Sequence, residues 1–529
     1  MKFENLDFTQ AHFSSPLLRD YLAQNERLSP FYSVFPSFEN LYKQAGQKAF
    51  SAESRALLVR TLRAQYQGFT ISESVSANLS SLGAKHTFTL TTGQQLNLFS
   101  GPVYTWYKIQ TVINLCQALN HRYRAYHFVP VYWMATEDHD CKEIDHFNFN
   151  GHLIRWPVAP AGAVGRLPTD SIAPFLPDIE RRFGTSDRGK QLMHWFVHAY
   201  QNHKNLADAT RYLINEWFGD QGLLILDGDS KPLKESFIPY LKAELFDRVA
   251  HREVGQSAQM LAELGYSVQA KPRPINLFYL RDNLRARLVQ QGESFGVLHL
   301  GRSFSKREMM REVEAHPERF SPNVITRPLY QEAILPNLAY IGGSAELAYG
   351  LQLKRFFDSQ GVLFPILIRR NSLLILSEKQ REKLSKLGLS PEVFNLPLSE
   401  IITVQTRKNS NLDLQFTREK KQLAQLFVQL KKRAEQTDRS FIGAVQAQEA
   451  KQLKGMKKLE KRLLQAEKTR MRLAHARIES LKNTLCPAGK PQERVLNFSG
   501  FYLDYGNAFA QAIQHAIRPL ENEFLYLTL

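Results

Sequence analysis

Cysteine is nearly missing from this chain. Cys116, Cys141 and Cys486 are the only three in 529 residues, too few for a disulfide framework, and no CxxC pair offers a zinc ribbon. Long apolar runs are missing too, since none approaches the roughly 18 residues needed to cross a bilayer. The opening MKFENLDFTQAHF has no basic segment followed by an apolar one, so no export leader is expected. Internal repeats and low-complexity tracts are also absent. A soluble protein of a reducing compartment, most simply the cytoplasm, is the expectation. The residues that are present exclude a disordered chain: 43% are hydrophobic and 11% aromatic, enough to bury a core. Single cores stop growing at about 250–300 residues, so the length predicts more than one domain.

Charge is unevenly placed. The whole chain carries +17. Arg418 to Lys482 holds 18 basic and 7 acidic residues, a net +11, which leaves an ordinary +6 for the rest. This basic stretch is nearly free of proline and glycine. Leu423, Leu426 and Leu430 form one apolar stripe at helical spacing, and Leu453, Met456, Leu459, Leu463 and Ala466 form another. Period three-to-four with charged flanks predicts a coiled coil, in two helices at about 417–437 and 441–485. Residues 437–440 read as a break, and Cys486-Pro487-Ala488-Gly489 as a stop. A strongly basic arm invites a tRNA-binding reading. Only Phe427 and Phe441 interleave as aromatics, too few to stack a run of bases, so lysines that solvate a helical hairpin are the favoured account.

Ahead of the arm, short β-rich runs alternate with amphipathic stretches. His86–Thr91, Tyr126–Met134, Gly222–Leu226, Asn337–Ile341 and Val362–Ile368 read as strands. Helices are predicted over Pro102–Leu119, from Pro232, and over Ala345–Phe357. Continuously apolar strands between helices predict a buried parallel sheet, whose ligands bind beyond the strand carboxyl ends. Three runs lie at such ends. Gly93-Gln94-Gln95 leads through Gly101-Pro102 into a helix whose N-terminus suits an anion. Its glutamines suit sugar hydroxyls, and Tyr104 and Lys108 follow within two turns. A glycine-punctuated connection with surface glutamines is the plainer alternative. Glu137-Asp138-His139-Asp140 comes directly after the most apolar strand. Ionisable groups packed there should perturb one another, and His139 between two aspartates suits a carboxylate-oriented general base. His139, Cys141, Asp145 and His146 are ligand types at no zinc spacing, so no metal is predicted. In the third run Arg327 and Gln331 are candidates to hold a carboxylate, Arg327 by a bidentate fork. Glu346 sits in a first helical turn, as cap or ligand contact.

These runs, in this order and ahead of a basic coiled coil, resemble the bacillithiol biosynthesis cysteine-adding enzyme family. The similarity lies in TGQQ…LF-x-GP-x-Y-T-x-YK at Thr92–Lys108, EDHD at Glu137–Asp140, and N-V-x-T-R-P-L-x-Q-E…LP-x-LA-x-I at Asn323–Ile341, and it covers essentially the whole chain. Two places depart from the family: Gly342-Gly343-Ser344-Ala345-Glu346 stands where GPGE is usual, and Ile368-Arg369-Arg370-Asn371-Ser372 replaces a proline-arginine run. The resemblance implies an α/β fold like class I aminoacyl-tRNA synthetases, with a Rossmann-like parallel-sheet core, connecting-peptide insertions and a long α-helical coiled-coil arm used for homodimerisation. The segments expected on this basis are a helical 1–80, core parts at 81–150, 151–320 (with insertions) and 321–400, the arm at 401–490, and 491–529 packing back on the core. The implied reaction joins the carboxyl of L-cysteine to the amine of glucosaminyl-malate, the last step of bacillithiol synthesis. The alternative is a synthetase-like protein using the arm on tRNA.

Carried over, catalysis falls to His139 with Asp138, Asp140 and Glu137. Substrate binding falls to Gln94, Gln95, Tyr104, Arg327 and Gln331, with the glutamines on the sugar and Arg327 on malate; Lys108 and Glu346 join them from the reading of the residues themselves. The family also implies an adenine nucleotide, ATP or ADP, near the base of the arm, for which Gln492, Glu493, Arg494, Tyr505 and Gly506 are the local candidates. Neither a HIGH nor a KMSKS signature is legible. Cys141 as an acyl carrier is disfavoured, because neighbouring carboxylates raise a thiol pKa.

Overall fold

A computed structural model describes residues 2–8, 15–159, 162–437 and 439–529. The chain opens on a strand, β1 (Lys2–Asp7), where only helix was expected; four helices follow between Pro16 and Ser81. Next come β2 (Thr87–Gln94), β3 (His127–Met134), a hairpin of β4 (His146–Phe149) and β5 (His152–Arg155), and β6 (Leu224–Asp227). An inserted group comprises β7 (Leu277–Arg281), β8 (Leu284–Gln291), β9 (Ser294–Val297), β10 (Arg302–Phe304) and β11 (Phe320–Pro322). The chain returns to β12 (Asn337–Gly342), β13 (Ile366–Arg369) and β14 (Ser372–Leu376), and ends on β15 (Glu523–Thr528).

The central sheet has the order β13-β12-β2-β3-β6, and every neighbouring pair is parallel. Its strands are buried almost throughout, as their unbroken apolarity requires. Connections run outward from β2 in both directions, so the topological switch lies between β2 and β12 and opens a crevice beyond their carboxyl ends. The inserted strands form an antiparallel sheet, β10-β9-β8-β7-β11. β1 pairs antiparallel with β15, joining the two ends of the chain.

Two compact units emerge: Met1–Ile375 with Gln492–Leu529, and Leu376–Pro491. The second unit includes residues 376–400, which the sequence reading placed in the core. Their helices are tied to the coil: Lys482 donates to the carbonyls of Phe394 (3.0 Å) and Leu396 (2.7 Å), and Thr406 meets His475 at 3.1 Å. The arm helices are Thr417–Ala434, Arg439–Arg470 and Arg472–Leu485, so the expected long helix is interrupted at Met471. Asp438, in the expected break, lies outside the described residues. Leu423, Phe427, Leu430 and Ala434 pack on Ile442 and Val445, while Lys420 pairs with Glu460 and Lys431 with Glu449. Partner numbers that fall as the others rise define an antiparallel pair. No helix among the described residues is long and apolar enough to cross a membrane.

Two further elements differ from expectation. The helix after β2 starts at Tyr104 rather than Pro102, because Pro102 bridges to Asn497 and the Val103 N–H donates to the Leu496 carbonyl at 2.8 Å. The predicted Ala345–Phe357 helix is two helices, Ser344–Gly350 and Lys354–Ser359.

Candidate active site

A cleft of about 890 Å³ opens at the switch point. Gly93, Gln94 and Gln95 from the end of β2, Glu137, Asp138 and His139 after β3, and Glu346 after β12 line it, together with Tyr104, Lys108, Arg327 and Arg494. The three strand-end runs singled out in the sequence thus converge. Among the described residues no group of three His, Cys, Asp or Glu is placed to hold a metal ion; Asp145 instead pairs with His146 at 2.7 Å.

The glycine-rich loop does not work as an open anion cradle. Phe99, Ser100 and Gly101 all have positive φ (48°, 64° and 62°), and residues 96–101 are buried. A Cβ at Gly101 would lie 2.5 Å from that of Asn97, so only glycine fits. The Asn497 amide seals the loop by donating to the carbonyls of Phe99 (2.8 Å) and Gly101 (2.5 Å), and aromatic rings including Phe196, Trp217 and Phe498 surround Phe99. The loop's rigidity serves to present the residues just before it.

Those residues are held by Lys108. Its ammonium donates to the Gly93 carbonyl (2.8 Å), Gln94 Oε1 (3.0 Å) and Glu346 Oε2 (2.6 Å), which uses all three donors. Gln94 Nε2 in turn donates to the Tyr104 hydroxyl at 2.9 Å and to Asn97 at 3.2 Å. Glu346 also accepts from the Tyr340 hydroxyl (2.6 Å) and the Gly343 N–H (2.8 Å). Burial would raise the Glu346 carboxyl, yet Lys108 and these donors hold it below its ordinary value. Burial pulls Lys108 down as Glu346 pulls it up, so the partners' shifts do not mirror each other. The saturated hydrogen bonding at 2.6 Å is that of a charged pair, and the lowered carboxyl agrees with it. Lys108 and Glu346 are therefore a cross-tie between the ends of β2 and β12.

On the β3 side, burial would raise the Asp138 carboxyl, but His139, the Arg285 guanidinium and the Gln95 amide hold it well below the usual carboxylate range. Glu137 goes the other way: burial and Asp229 raise it against the pull of Lys234, which donates to it. Asp140 points elsewhere, its carboxylate capping the next short helix by accepting from the Lys142 N–H at 3.1 Å, so it does not orient His139. Cys141 is buried in that helix and does not line the cleft.

Arg327 reaches the cleft over the faces of Trp133 (5.6 Å) and Tyr340 (5.3 Å). Gln331 lies behind it, buried. Its Oε1 accepts from Arg327 at 3.0 Å and its Nε2 donates to Glu332 at 2.9 Å, so it positions Arg327 and does not meet a ligand. The nucleotide candidates do not converge. Gln492 is 4% exposed and bonds both the N–H and the carbonyl of Ile375, at 2.9 Å each. Glu493, equally buried, forms a two-point pair with Arg370 at 2.7 and 3.0 Å. Gly506 ends a helix against the Arg188 side chain, and neither it nor Tyr505 lines the cleft. Of this set only Arg494 does, and the group does not fit a nucleotide pocket.

Sequence reasoning missed the wall supplied by the inserted sheet and the segment leading into it: Lys271, Arg273, Phe278, Arg285 and Arg287. A signal existed in Arg285-Ala286-Arg287, where alternation on a strand puts both cations on one face. In all, eight Lys and Arg residues line the cleft against four carboxylates. Lys271, Arg273, Arg287 and Arg494 have no ion pair among the described residues.

Doubly wound topology with a polar crevice at its switch point, joined to a helical coil, defines a Rossmann-like ligand-binding protein. Residues 1–371 match the Rossmann-like N-terminal domain of the bacillithiol biosynthesis BshC family, and residues 373–529 match its C-terminal coiled-coil domain. The chain belongs to that family. It is 45% identical to a protein of Flavobacterium johnsoniae over the full length of both, and 43% identical to one of Christiangramia forsetii over 99% of this chain and 98% of the other. A Cytophaga hutchinsonii protein is 36% identical over 93% and 92% of the two chains. All three bear the name "Putative cysteine ligase BshC".

Proposed function

We propose that this cysteine ligase joins L-cysteine to the amine of glucosaminyl-malate in the cleft between β2 and β12, the step that yields bacillithiol. The observation that carries the reading is the cleft's division of charge. Arg327, Arg273 and Arg287 provide cations for the two malate carboxylates, Arg327 with its fork held by Gln331. Asp138, kept anionic by its neighbours, attracts an amino group. The Gln95 Oε1 atom is buried without a partner and offers an acceptor to a sugar hydroxyl. Coupling requires a cysteine whose carboxyl is already activated. The amine nitrogen bonds to the carbonyl carbon, the activating group leaves with the bonding electrons, and the amine loses its proton.

Pairing of two chains through the arm belongs to the same proposal, supported by Leu426, Leu459 and Leu473, which are 51%, 51% and 75% exposed there; sedimentation of the full chain tests it. A cytoplasmic location follows from the substrates. The ligase reading is tested by thiol profiling in a strain whose own family member is deleted. Expression of this chain should restore bacillithiol and clear accumulated glucosaminyl-malate, and no change in either pool would overturn the proposal.

A further inference from the structure

His139 was expected to be a base oriented by an aspartate, yet its nearest polar neighbour is a cation from the inserted sheet. Arg285 Nη1 lies 2.8 Å from His139 Nδ1, whereas Asp138 Oδ1 is 3.3 Å from the same nitrogen. That carboxylate oxygen already accepts the His139 backbone N–H at 2.7 Å and Arg285 at 3.3 Å, so Asp138 stays anionic through the backbone N–H, Arg285 and Gln95 without a proton from the imidazole. Arg285 is fixed from every side: Nε donates to Ser321 Oγ and Nη2 to the Pro322 carbonyl, at 3.0 Å each, and the guanidinium lies 4.1 Å over the Phe278 ring. Phe278 also meets the imidazole at 5.3 Å. A guanidinium has donors only and stays charged in proteins. A neutral imidazole facing it must accept at Nδ1, and which ring nitrogen carries the proton is set by the bond the other makes.

We infer that Arg285 is a positioning residue that fixes neutral His139 as the Nε2–H tautomer, so that His139 presents the cleft with a hydrogen-bond donor in place of a base. This rests on the ligase reading for its purpose: a donor there suits the oxygen of the cysteine carbonyl, where negative charge grows as the amine attacks. The amine must then lose its proton to another group, and Glu143, exposed on the same cleft wall, is the nearest carboxylate in sequence that caps or pairs with nothing described.

Nitrogen NMR of the full chain labelled at histidine tests the inference without depending on activity. His139 is assigned by the signal lost in His139→Gln, at a pH about two units above the ordinary imidazole value of about 6.5. The wild type should show a protonated Nε2 and a bare Nδ1. Arg285→Leu should lose that preference or invert it toward Nδ1–H facing Asp138. A bare Nε2 in the wild type overturns the inference, as does an unchanged tautomer in Arg285→Leu. Should that variant not fold, the wild-type spectrum decides alone. In the ligase assay Arg285→Leu should lower kcat at least tenfold with little change in KM for glucosaminyl-malate. If the tautomer is as stated but no ligase activity exists, the function fails and the positioning stands.

Discussion

Replacing Lys108 by methionine and Glu346 by glutamine, singly and together, tests the cross-tie between the ends of β2 and β12. Methionine keeps the apolar stem of lysine and removes only the ammonium. Three acceptors then lose their donor, and Glu346 keeps the Tyr340 and Gly343 bonds without a cation. The Lys108 side chain is 3% exposed and that of Glu346 23%. Breaking a buried pair from one side costs about 3–5 kcal/mol, and the partial exposure of Glu346 places Lys108→Met near the lower end. Glu346→Gln leaves a buried ammonium among neutral acceptors, at a comparable cost. The double variant carries no unpaired charge, so its loss should fall short of the sum of the two by about 1–3 kcal/mol. The assay is urea unfolding at neutral pH with equal m-values, repeated at acid pH. The Glu346 carboxyl is lowered in the folded chain, so its stabilisation is complete above its unfolded pKa and fades as pH falls through the folded one. The penalty of Lys108→Met should shrink in that window. Additive losses, with coupling below about 0.5 kcal/mol, would refute the cross-tie.

Three further outcomes follow from the same geometry. Glu493→Gln breaks the buried two-point pair with Arg370 and should cost about 3–5 kcal/mol; an unchanged thermal midpoint would refute the structural role given to Glu493. Gly228→Ala places a Cβ 2.6 Å from the Trp133 ring, and such overpacking costs about 1–3 kcal/mol. It should also raise KM by tilting the surface under Arg327, and calorimetry with steady-state kinetics reads both effects. Burial raises Glu244 to about 7 even though Asn276 and Ala250 donate to it. The folded chain therefore binds more protons than the unfolded one, and wild-type stability should fall by about 3 kcal/mol as pH rises from about 4.5 to 7; Glu244→Gln should show a flatter slope in denaturant titrations across that range.

How much of this was legible in the sequence depended on whether a residue's partner was local. Strand β3 was readable because eight nearly unbroken apolar residues leave a buried parallel strand as the natural reading, and a strand fixes where the next residues point. Glu137 and Asp138 had to emerge at the carboxyl edge of the sheet, as did Gln94 and Gln95 after β2. Their convergence in one cleft followed from topology more than from motif. The arm was readable for a similar reason, since its apolar spacing repeats within one helix. The break at Met471 was not, because nothing in Arg470-Met471-Arg472 stops a helix.

The misreadings share a physical cause. Gln492 and Glu493 were candidates for a nucleotide because the family resemblance implies a pocket near the base of the arm, and the sequence alone does not show their partners. Their partners are the Ile375 backbone and Arg370, more than 110 residues away, and a buried polar group without such a partner costs too much to persist. Asp140 was expected to orient His139 and Gln331 to hold a ligand; the first caps a short helix and the second braces Arg327. Arg285 is the converse: an unremarkable strand cation whose significance appears only when the inserted sheet brings it against His139. The sequence motif supplies the imidazole, but the chemistry of that imidazole is set by a residue 146 positions away. A motif match alone therefore cannot say whether His139 accepts or donates a proton, and Arg285 is the residue to change in order to find out.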